Sequence, residues 1–410
     1  MTAPRKVLML GGGFAGYRFV RELGDNEAYE ATIAAPRNHF LFTPLLPSTT
    51  VGTLEFRSIL EPLRRQEGAE FHLIEARKLD RVNRVVTGVS PLDGSEASLP
   101  YDDLVIGVGA VPGTFGVPGV AEHAMFLKEI GDARGIRGRV IDSLEMAAAP
   151  GTTREERARL LTFVVVGGGP TGVEFAAELH DFMMADLAGV YPGLATRARI
   201  VLLEAMPKIL GAFDQSLSDY AAKRFRRSRI DVRLGARVVN VAADRLQLHD
   251  GTEIPFGLLV WATGNAPTEF VKGLDLPKDG AGRLRVGRDL KVEGEESIYA
   301  LGDCSIITEK PLPATGQVAE QQGRYLAKAF AQRAKGKPVQ PFVYKPMGML
   351  AYVGGGRAVA DLPGVKSGGF ITFLFWRSVY FSKLMGARSR VLVMFDWLKS
   401  RFLGRDLSRF

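Results

Sequence analysis

A single cysteine, Cys304, is all that 410 residues contain, and this scarcity excludes a disulfide framework, a cysteine-rich zinc site and an intramolecular redox-active dithiol. Long hydrophobic runs are missing as well. The apolar run at 7–10 stops at Gly11 and is too short for a signal-peptide core, so no cleavable targeting signal is expected. Nowhere does the sequence approach the roughly 18 consecutive apolar residues of a spanning helix, so if the protein meets a membrane it lies on it. No D-x-[DN]-x-D-G loop is present, and no metal site is expected.

The bulk composition is that of a folded protein, with 46% apolar and 24% charged residues. Single cores stop growing at roughly 250–300 residues, so this length predicts two or three domains. A net charge of +8 favours an anionic partner, which could be nucleic acid, an acidic membrane surface or a phosphorylated ligand.

Two segments carry the same pattern. VLMLGGGFAG at 7–16 reads as a buried strand, a glycine turn and a helix start, with Gly11, Gly13 and Gly16 at the G-x-G-x-x-G spacing. The first glycine permits the tight turn, the second lets a pyrophosphate approach the backbone, and the third lets helix and strand pack closely. The helix start then offers unpaired N–H groups to the phosphates. LTFVVVGGGPTG at 161–172 repeats the arrangement with Gly167, Gly169 and Gly172.

RIVLLE at 199–204 follows the second unit as an apolar strand ending in Glu204. An acid there accepts hydrogen bonds from a ribose diol and repels a 2′-phosphate, so this unit should prefer NADH to NADPH; a solvated strand end is the plainer alternative. The matching strand of the first unit, EATIAA at 30–35, ends in alanines. The first unit is therefore assigned to FAD and the second to NADH, because paired units of this kind place the flavin nucleotide first and last in the chain. The chain returns to the first domain near 289–304, where SIYALGD at 297–303 ends in Gly302 and Asp303, a carboxylate able to accept from a ribityl hydroxyl; the alternative is a helix cap. Strands at 104–110 and 258–264 end in small residues, the latter in Ala262, Thr263 and Gly264, suited to close against each dinucleotide.

With these features, residues 5–350 resemble the pyridine nucleotide–disulfide oxidoreductase fold, and within it the type II, non-proton-pumping NADH:quinone oxidoreductases. The stretches that carry the resemblance are PRNHFLFTPLLP at 36–47, VGGGPTGVEFAAEL at 166–179, GQVAEQQG at 316–323, WRSVY at 376–380, FDWLK at 395–399 and GRDLSRF at 404–410. His39 stands where the family has tyrosine, and Ala35 where serine is common. Disulfide reductases and sulfide:quinone oxidoreductases need at least two cysteines, so Cys304 is expected to be a small packed residue.

The resemblance implies that the cofactors carry the chemistry and that the protein supplies position. Phe14, Ala15, Arg37, Thr43, Pro44 and Leu45 would hold or line the flavin, with Val318 and the start of the helix near Gly316 at its pyrimidine end. Gln317 and Gln321, four apart on one helix face, would lie at the quinone pocket, and Glu174 would handle protons between nicotinamide and flavin; the plainer alternative for all three is an ordinary polar helix residue. Glu178 and His180 are expected to be solvated or interdomain.

Between 366 and 410 nine basic residues, Lys366, Arg377, Lys383, Arg388, Arg390, Lys399, Arg401, Arg405 and Arg409, face only Asp396 and Asp406. Phe373, Trp376, Tyr380 and Leu384 make one stripe at helical spacing, and Val391, Phe395, Leu398 and Phe402 another. Basic residues beside aromatic stripes fit an interfacial helix pair on anionic lipid; a helical hairpin packed on the core or on a dimer mate is the alternative. No nucleic-acid module accompanies the charge, and nucleic acid is not expected as a partner.

The expectation is thus an α/β protein with two Rossmann-like dinucleotide-binding domains, for FAD and NADH, and a C-terminal amphipathic membrane-binding module. The boundaries are 1–112 and 289–350 for FAD, 113–288 for NADH and 351–410 for the module. The expected activity is NADH oxidation with a membrane quinone as acceptor, peripheral on the cytoplasmic face of a bacterial inner membrane, with homodimerisation left open. Its competitors are an NADH-dependent reductase of a soluble redox carrier and a flavin-bearing signalling protein of slow turnover.

Overall fold

The structure, a computed structural model, describes residues 3–408. It divides into two units, each assembled from three pieces of chain: Met1–Leu41, Glu61–Val111 and Asn265–Pro346 in the first, and Phe42–Leu60, Pro112–Gly264 and Met347–Phe410 in the second.

The apolar runs expected as strands form the centre of a parallel sheet in each unit, where both faces are covered and alternation is lost. In the first unit the order is Ile298–Ala300, Asp103–Ile106, Arg5–Leu10, Tyr29–Ala35 and Ala69–Leu73. In the second it is Met125–Phe126, Leu258–Trp261, Thr162–Val166, Arg199–Glu204 and Asp231–Leu234. Both registers put strand ends level beside the glycine turn: Leu10 pairs with Ala34 and Ile106, Val166 with Leu203 and Trp261. Each unit therefore presents one sheet edge on which a turn, a neighbouring strand end and a helix start converge, the usual place for a ligand in open α/β sheets.

Within the first unit, the Phe14–Leu23 helix packs closely on the Gly316–Ala334 helix. A Cβ on Gly323 would stand 2.3 Å from the Ala15 carbonyl oxygen, so only glycine allows this approach, and Phe19 meets Phe330 edge to face at 5.6 Å.

The chain re-enters the first unit at Asn265 rather than near 289. Within this earlier stretch Asp275 pairs with Arg81 of the first unit at 3.2 Å. The C-terminal residues form a three-stranded antiparallel sheet, Met349–Tyr352, Ala358–Leu362 and Val365–Gly369, followed by the Phe370–Lys383 and Ala387–Phe402 helices. They belong to the second unit because Tyr352 and Trp376 bond to its Pro170–Phe182 helix.

Among the described residues, no helix is long and apolar enough to cross a membrane. The two C-terminal aromatic stripes part company. Trp376 and Leu384 are buried and Phe373 and Tyr380 partly so, whereas Val391, Phe395, Leu398 and Phe402 are exposed. The first stripe is thus a core contact, and the second, joined by exposed Phe370, Ile371, Leu374 and Phe375, is an open apolar face. Arg409 and Phe410 lie outside the described residues.

Candidate nucleotide and proton sites

The first glycine turn is held open by contacts only glycine tolerates. Gly11 has φ +103°, and a Cβ there would meet the Gly107 carbonyl oxygen at 2.3 Å; one on Gly16 would meet the Gly11 oxygen at 2.0 Å. At Gly13 a Cβ would meet nothing within 4 Å. The backbone N–H groups at the start of the Phe14–Leu23 helix, with no side-chain cap on Gly13, therefore border open space.

The return segment joins the same place. Ideal Cβ positions put Gly302 3.6 Å from both Ala15 and Ala319, and Gly316 3.4 Å from the Phe14 ring. A cavity is lined there by Gly302, Asp303, Thr315, Val318, Gln322 and Arg283. Asp303 does not cap the short turn it lies in, whose N-cap is Leu301 without a side-chain bond. Gly302 N donates to buried Gln322 Oε1 at 2.8 Å, a residue the sequence reading passed over in favour of its neighbours. Its only sequence signal is the four-residue spacing from Val318.

Arg37 sits in the turn after the Tyr29–Ala35 strand, with His39 half-buried close by. Burial, and then the Arg37 charge, push the His39 ring below its ordinary value, so it is neutral at physiological pH. Cys304 is wholly buried, and burial pushes its thiol up to about 12, which makes it an inert packed residue.

The second turn repeats the geometry. Gly167 has φ +113°, with a would-be Cβ 2.8 Å from the Ala262 oxygen and from Thr263 Cβ, and Gly172 would meet the Gly167 oxygen at 1.9 Å. Gly169, like Gly13, faces nothing within 4 Å. Gly264, at φ +80°, would strike the Gly113 oxygen at 2.5 Å. Glu204 is oriented rather than solvated: its Oε2 accepts from Gly168 N at 2.6 Å and its Oε1 from Met206 N at 2.7 Å. Each oxygen keeps a lone pair for a further donor. The middle glycine, Gly168, is a second residue the sequence reading missed; a Cβ there would meet Glu204 Oε2 at 2.8 Å.

Glu174 lies on the Pro170–Phe182 helix and is 5% exposed. Its Oε1 accepts from Tyr352 N at 2.9 Å and from Trp376 Nε1 at 3.1 Å. Burial pushes its carboxyl up to about 8, against the pull of these two donors, and the charge of Glu178 adds to the rise. A carboxyl in that range holds a proton at neutral pH and can give it up. Neither donor was read from sequence, because strand and helix lie some 180–200 residues beyond Glu174. Glu178 is likewise buried rather than solvated, at 5% exposure, since Ser48 and Thr53 hydroxyls cover it. His180 is partly exposed and stands 3.4 Å from Asp181.

The remaining candidates are placed as follows. Thr43, Pro44 and Leu45 form a short 3-10 turn in the second unit, with Leu45 buried. Gln317 and Gln321 share a face of the Gly316 helix in the first. Gln321 spends both its amide groups on Lys345 backbone, at 2.9 and 3.0 Å, which favours an ordinary structural role. Gln317 receives the Tyr344 hydroxyl at 3.5 Å, the outer limit of a hydrogen bond.

Residues 5–323 match the family described as pyridine nucleotide-disulphide oxidoreductase, and residues 347–406 match the NDH2 C-terminal domain. The chain is 43% identical to a "Probable NADH dehydrogenase" of Dictyostelium discoideum, over 99% of this chain and 91% of that one. It is 41% identical to the mitochondrial external NADH-ubiquinone oxidoreductase 2 of Saccharomyces cerevisiae, over 98% and 82% respectively. Among solved structures it resembles NDH2 from Plasmodium falciparum in complex with NADH, with a TM-score of 0.93, 27% identity and coverage of 98% of this chain and 99% of that one.

Proposed function

The chain belongs to the pyridine nucleotide-disulphide oxidoreductase family and carries an NDH2 C-terminal domain, and from that premise we propose that it is an NADH:quinone oxidoreductase. The observation that carries the reading is the near-complete match to named NADH-ubiquinone oxidoreductases, joined to a chain that holds two glycine turns of the same geometry. A reductase of a soluble carrier is not favoured, since the NDH2 C-terminal domain is present.

FAD, when bound, takes a hydride from NADH and yields two electrons to the quinone without proton pumping. The first unit fits that group: Gly11, Gly13 and Gly16 leave room for a pyrophosphate at the Phe14 helix start, Asp303 and Val318 line the adjoining cavity, and Arg37 follows the neighbouring strand. In the second unit Gly167, Gly169 and Gly172 hold the NADH phosphates, with Ala262, Thr263 and Gly264 beside the turn, while Glu204 accepts the adenosine ribose diol. Glu174 supplies a proton toward the quinone, and Gln317 orients the quinone. The exposed apolar face of the C-terminal helices, with Arg388, Arg401 and Lys383 around it, seats the protein on an anionic lipid surface. In a bacterium this is the cytoplasmic face of the inner membrane, where NADH is supplied.

Stopped-flow mixing tests the reading in two halves. NADH should bleach the flavin absorbance, and a short-chain quinone should restore it; Gln317→Ala should slow only the second phase. A wild-type protein whose flavin is bleached by NADH but never restored by quinone would reject the assignment. For the lipid surface, replacing Ile371, Phe395 and Phe402 by serine should release the protein from anionic vesicles while leaving NADH-driven bleaching intact.

A further inference from the structure

Glu174, Glu178 and Asp181 follow one another at steps of four and three, so their carboxyls share one face of the Pro170–Phe182 helix. The row runs outward. Glu174 and Glu178 are each 5% exposed, whereas the Asp181 side chain is 19% exposed. Each carboxyl is fixed by its own partners. Glu178 accepts from Ser48 Oγ at 2.7 Å and Thr53 Oγ1 at 3.0 Å, and Arg405 Nη2 stands 3.5 Å from its Oε2. Asp181 accepts from the Tyr352 hydroxyl at 2.5 Å and Gly355 N at 2.9 Å. The charged and titratable groups that face Glu178 are Arg405, Arg377, Asp181, Tyr352 and Glu174.

Resting on the quinone reading above, we propose that Asp181 and Glu178 are relay residues that return a proton from bulk water to Glu174 after each turnover. The balance is NADH + H⁺ + quinone → NAD⁺ + quinol. The hydride brings both electrons and one hydrogen, so one proton per turnover must come from solvent. Glu174, buried away from water, gives that proton and becomes a carboxylate; Glu178 reprotonates it; Asp181, at the surface end beside His180, refills Glu178. The steps of four and three residues correspond to rises of about 6 and about 4.5 Å along the helix, on the scale of a single bridging water.

The outer acid holds a proton less tightly than its ordinary value and the two buried ones more tightly. Burial acts to raise Asp181, but His180, the Tyr352 hydroxyl and Gly355 N outweigh it and hold the carboxyl below its ordinary value. Burial raises Glu178 despite Arg405 and the Ser48 hydroxyl, and Glu174 stands at about 8. A proton entering at Asp181 is therefore drawn toward the buried end.

The test uses the full-length holoprotein with Glu178→Gln, which keeps size and hydrogen bonding but carries no proton, and with Asp181→Asn at the mouth. FAD content and melting temperature verify folding. In both variants NADH should bleach the flavin as in the wild type, while reoxidation by a short-chain ubiquinone slows by about tenfold or more. A small weak acid such as imidazolium should restore part of that rate, which a merely structural defect would not allow. Independently of turnover, an infrared pH titration of the resting protein should lose a carboxylic C=O component in Glu178→Gln. If the wild type is reoxidised by quinone and both folded variants match it between about pH 6 and 9, the relay is overturned and the function stands. Slowed variants that no weak acid rescues also overturn it. If quinone never reoxidises the wild type, the functional reading falls and takes the relay with it.

Discussion

The two glycine turns hold their backbones alike, yet the helices that leave them carry different charges at the same steps. Two residues past the third glycine stands Arg18 in the first unit and Glu174 in the second; four further on stand Glu22 and Glu178. Arg18 and Glu22 pair at 3.2 Å near the surface, and Glu22 is further faced by Arg324 and Lys328 at 3.7 Å each. Glu174 and Glu178 are two acids in the interior. The glycines build the open turn, and the helix behind it is free to be either a neutralised strut or a buried pair of acids. The latter is costly unless the carboxyls keep their protons, which is why the buried pair, and not the strut, carries the proton-transfer proposal.

The largest effect should come from filling the shared part. Gly16→Val and Gly172→Val each drive a side chain into a carbonyl oxygen that an ideal Cβ would already approach to 2.0 and 1.9 Å. The obstacle is backbone, so the cost should reach or exceed the ~3 kcal/mol upper end of ordinary overpacking. Gly16→Val should purify without FAD and Gly172→Val should lose NADH binding; an equal loss of both nucleotides in both variants would show that the turns are not separate sites.

Next comes the pH dependence of the buried acid. The folded value of Glu174, about 8, lies above its ordinary 4.5. Its contribution is therefore fully present below about pH 4.5 and is lost as pH rises toward 8, because the folded state keeps a proton that the unfolded chain has released. Between pH 5 and 7 this slope amounts to about 2 kcal/mol. Urea unfolding should show Glu174→Gln free of that decline, with the wild type overtaken as pH rises. Parallel wild-type and variant profiles would mean that Glu174 titrates normally.

A smaller change should follow at the strand ends, Ala35 against Glu204. Glu204→Ala should weaken NADH by about 1–3 kcal/mol and narrow its advantage over NADPH, leaving the FAD content untouched. A variant with unaltered preference between the two nucleotides would assign Glu204 only to bracing Gly168. Smallest of all, Arg18→Gln should cost about 0.5 kcal/mol in unfolding free energy, the worth of a part-exposed i,i+4 pair. A loss comparable to that at Gly16 would erase the contrast between strut and buried acids.

Local patterns announced what local physics builds. The strands at 7–10 and 162–166 and both glycine turns lie where apolar runs and glycine spacing put them, and the helix start at Gly316 lies where the resemblance of GQVAEQQG put it. Glu204 stands at the strand end expected of it, oriented by Gly168 N and Met206 N. What escaped reading depends on chain brought from far away. Tyr352 and Trp376 meet Glu174 from the C-terminal sheet and helix, and Glu178 is covered by Ser48 and Thr53 from residues 46–53 and by Arg405 from the chain's far end. The aromatic stripes at 373–384 and 391–402 have equal helical spacing, and spacing alone cannot tell a stripe that finds a partner from one that remains open.

The strand Asp103–Ile106 pairs with Ile298–Ala300, so the first sheet is closed by residues translated nearly two hundred positions later. On the ribosome, the N-terminal nucleotide fold must wait with an open edge while the intervening second sheet is made. The second sheet itself emerges as a continuous stretch ending at Gly264, ahead of the 265–346 segment that completes the first. Order of synthesis and order of assembly are therefore inverted: the later of the two glycine turns is the first to acquire all its neighbouring strands. A released chain ending at residue 264 should protect the Val164 amide from hydrogen exchange while that of Met9 still exchanges.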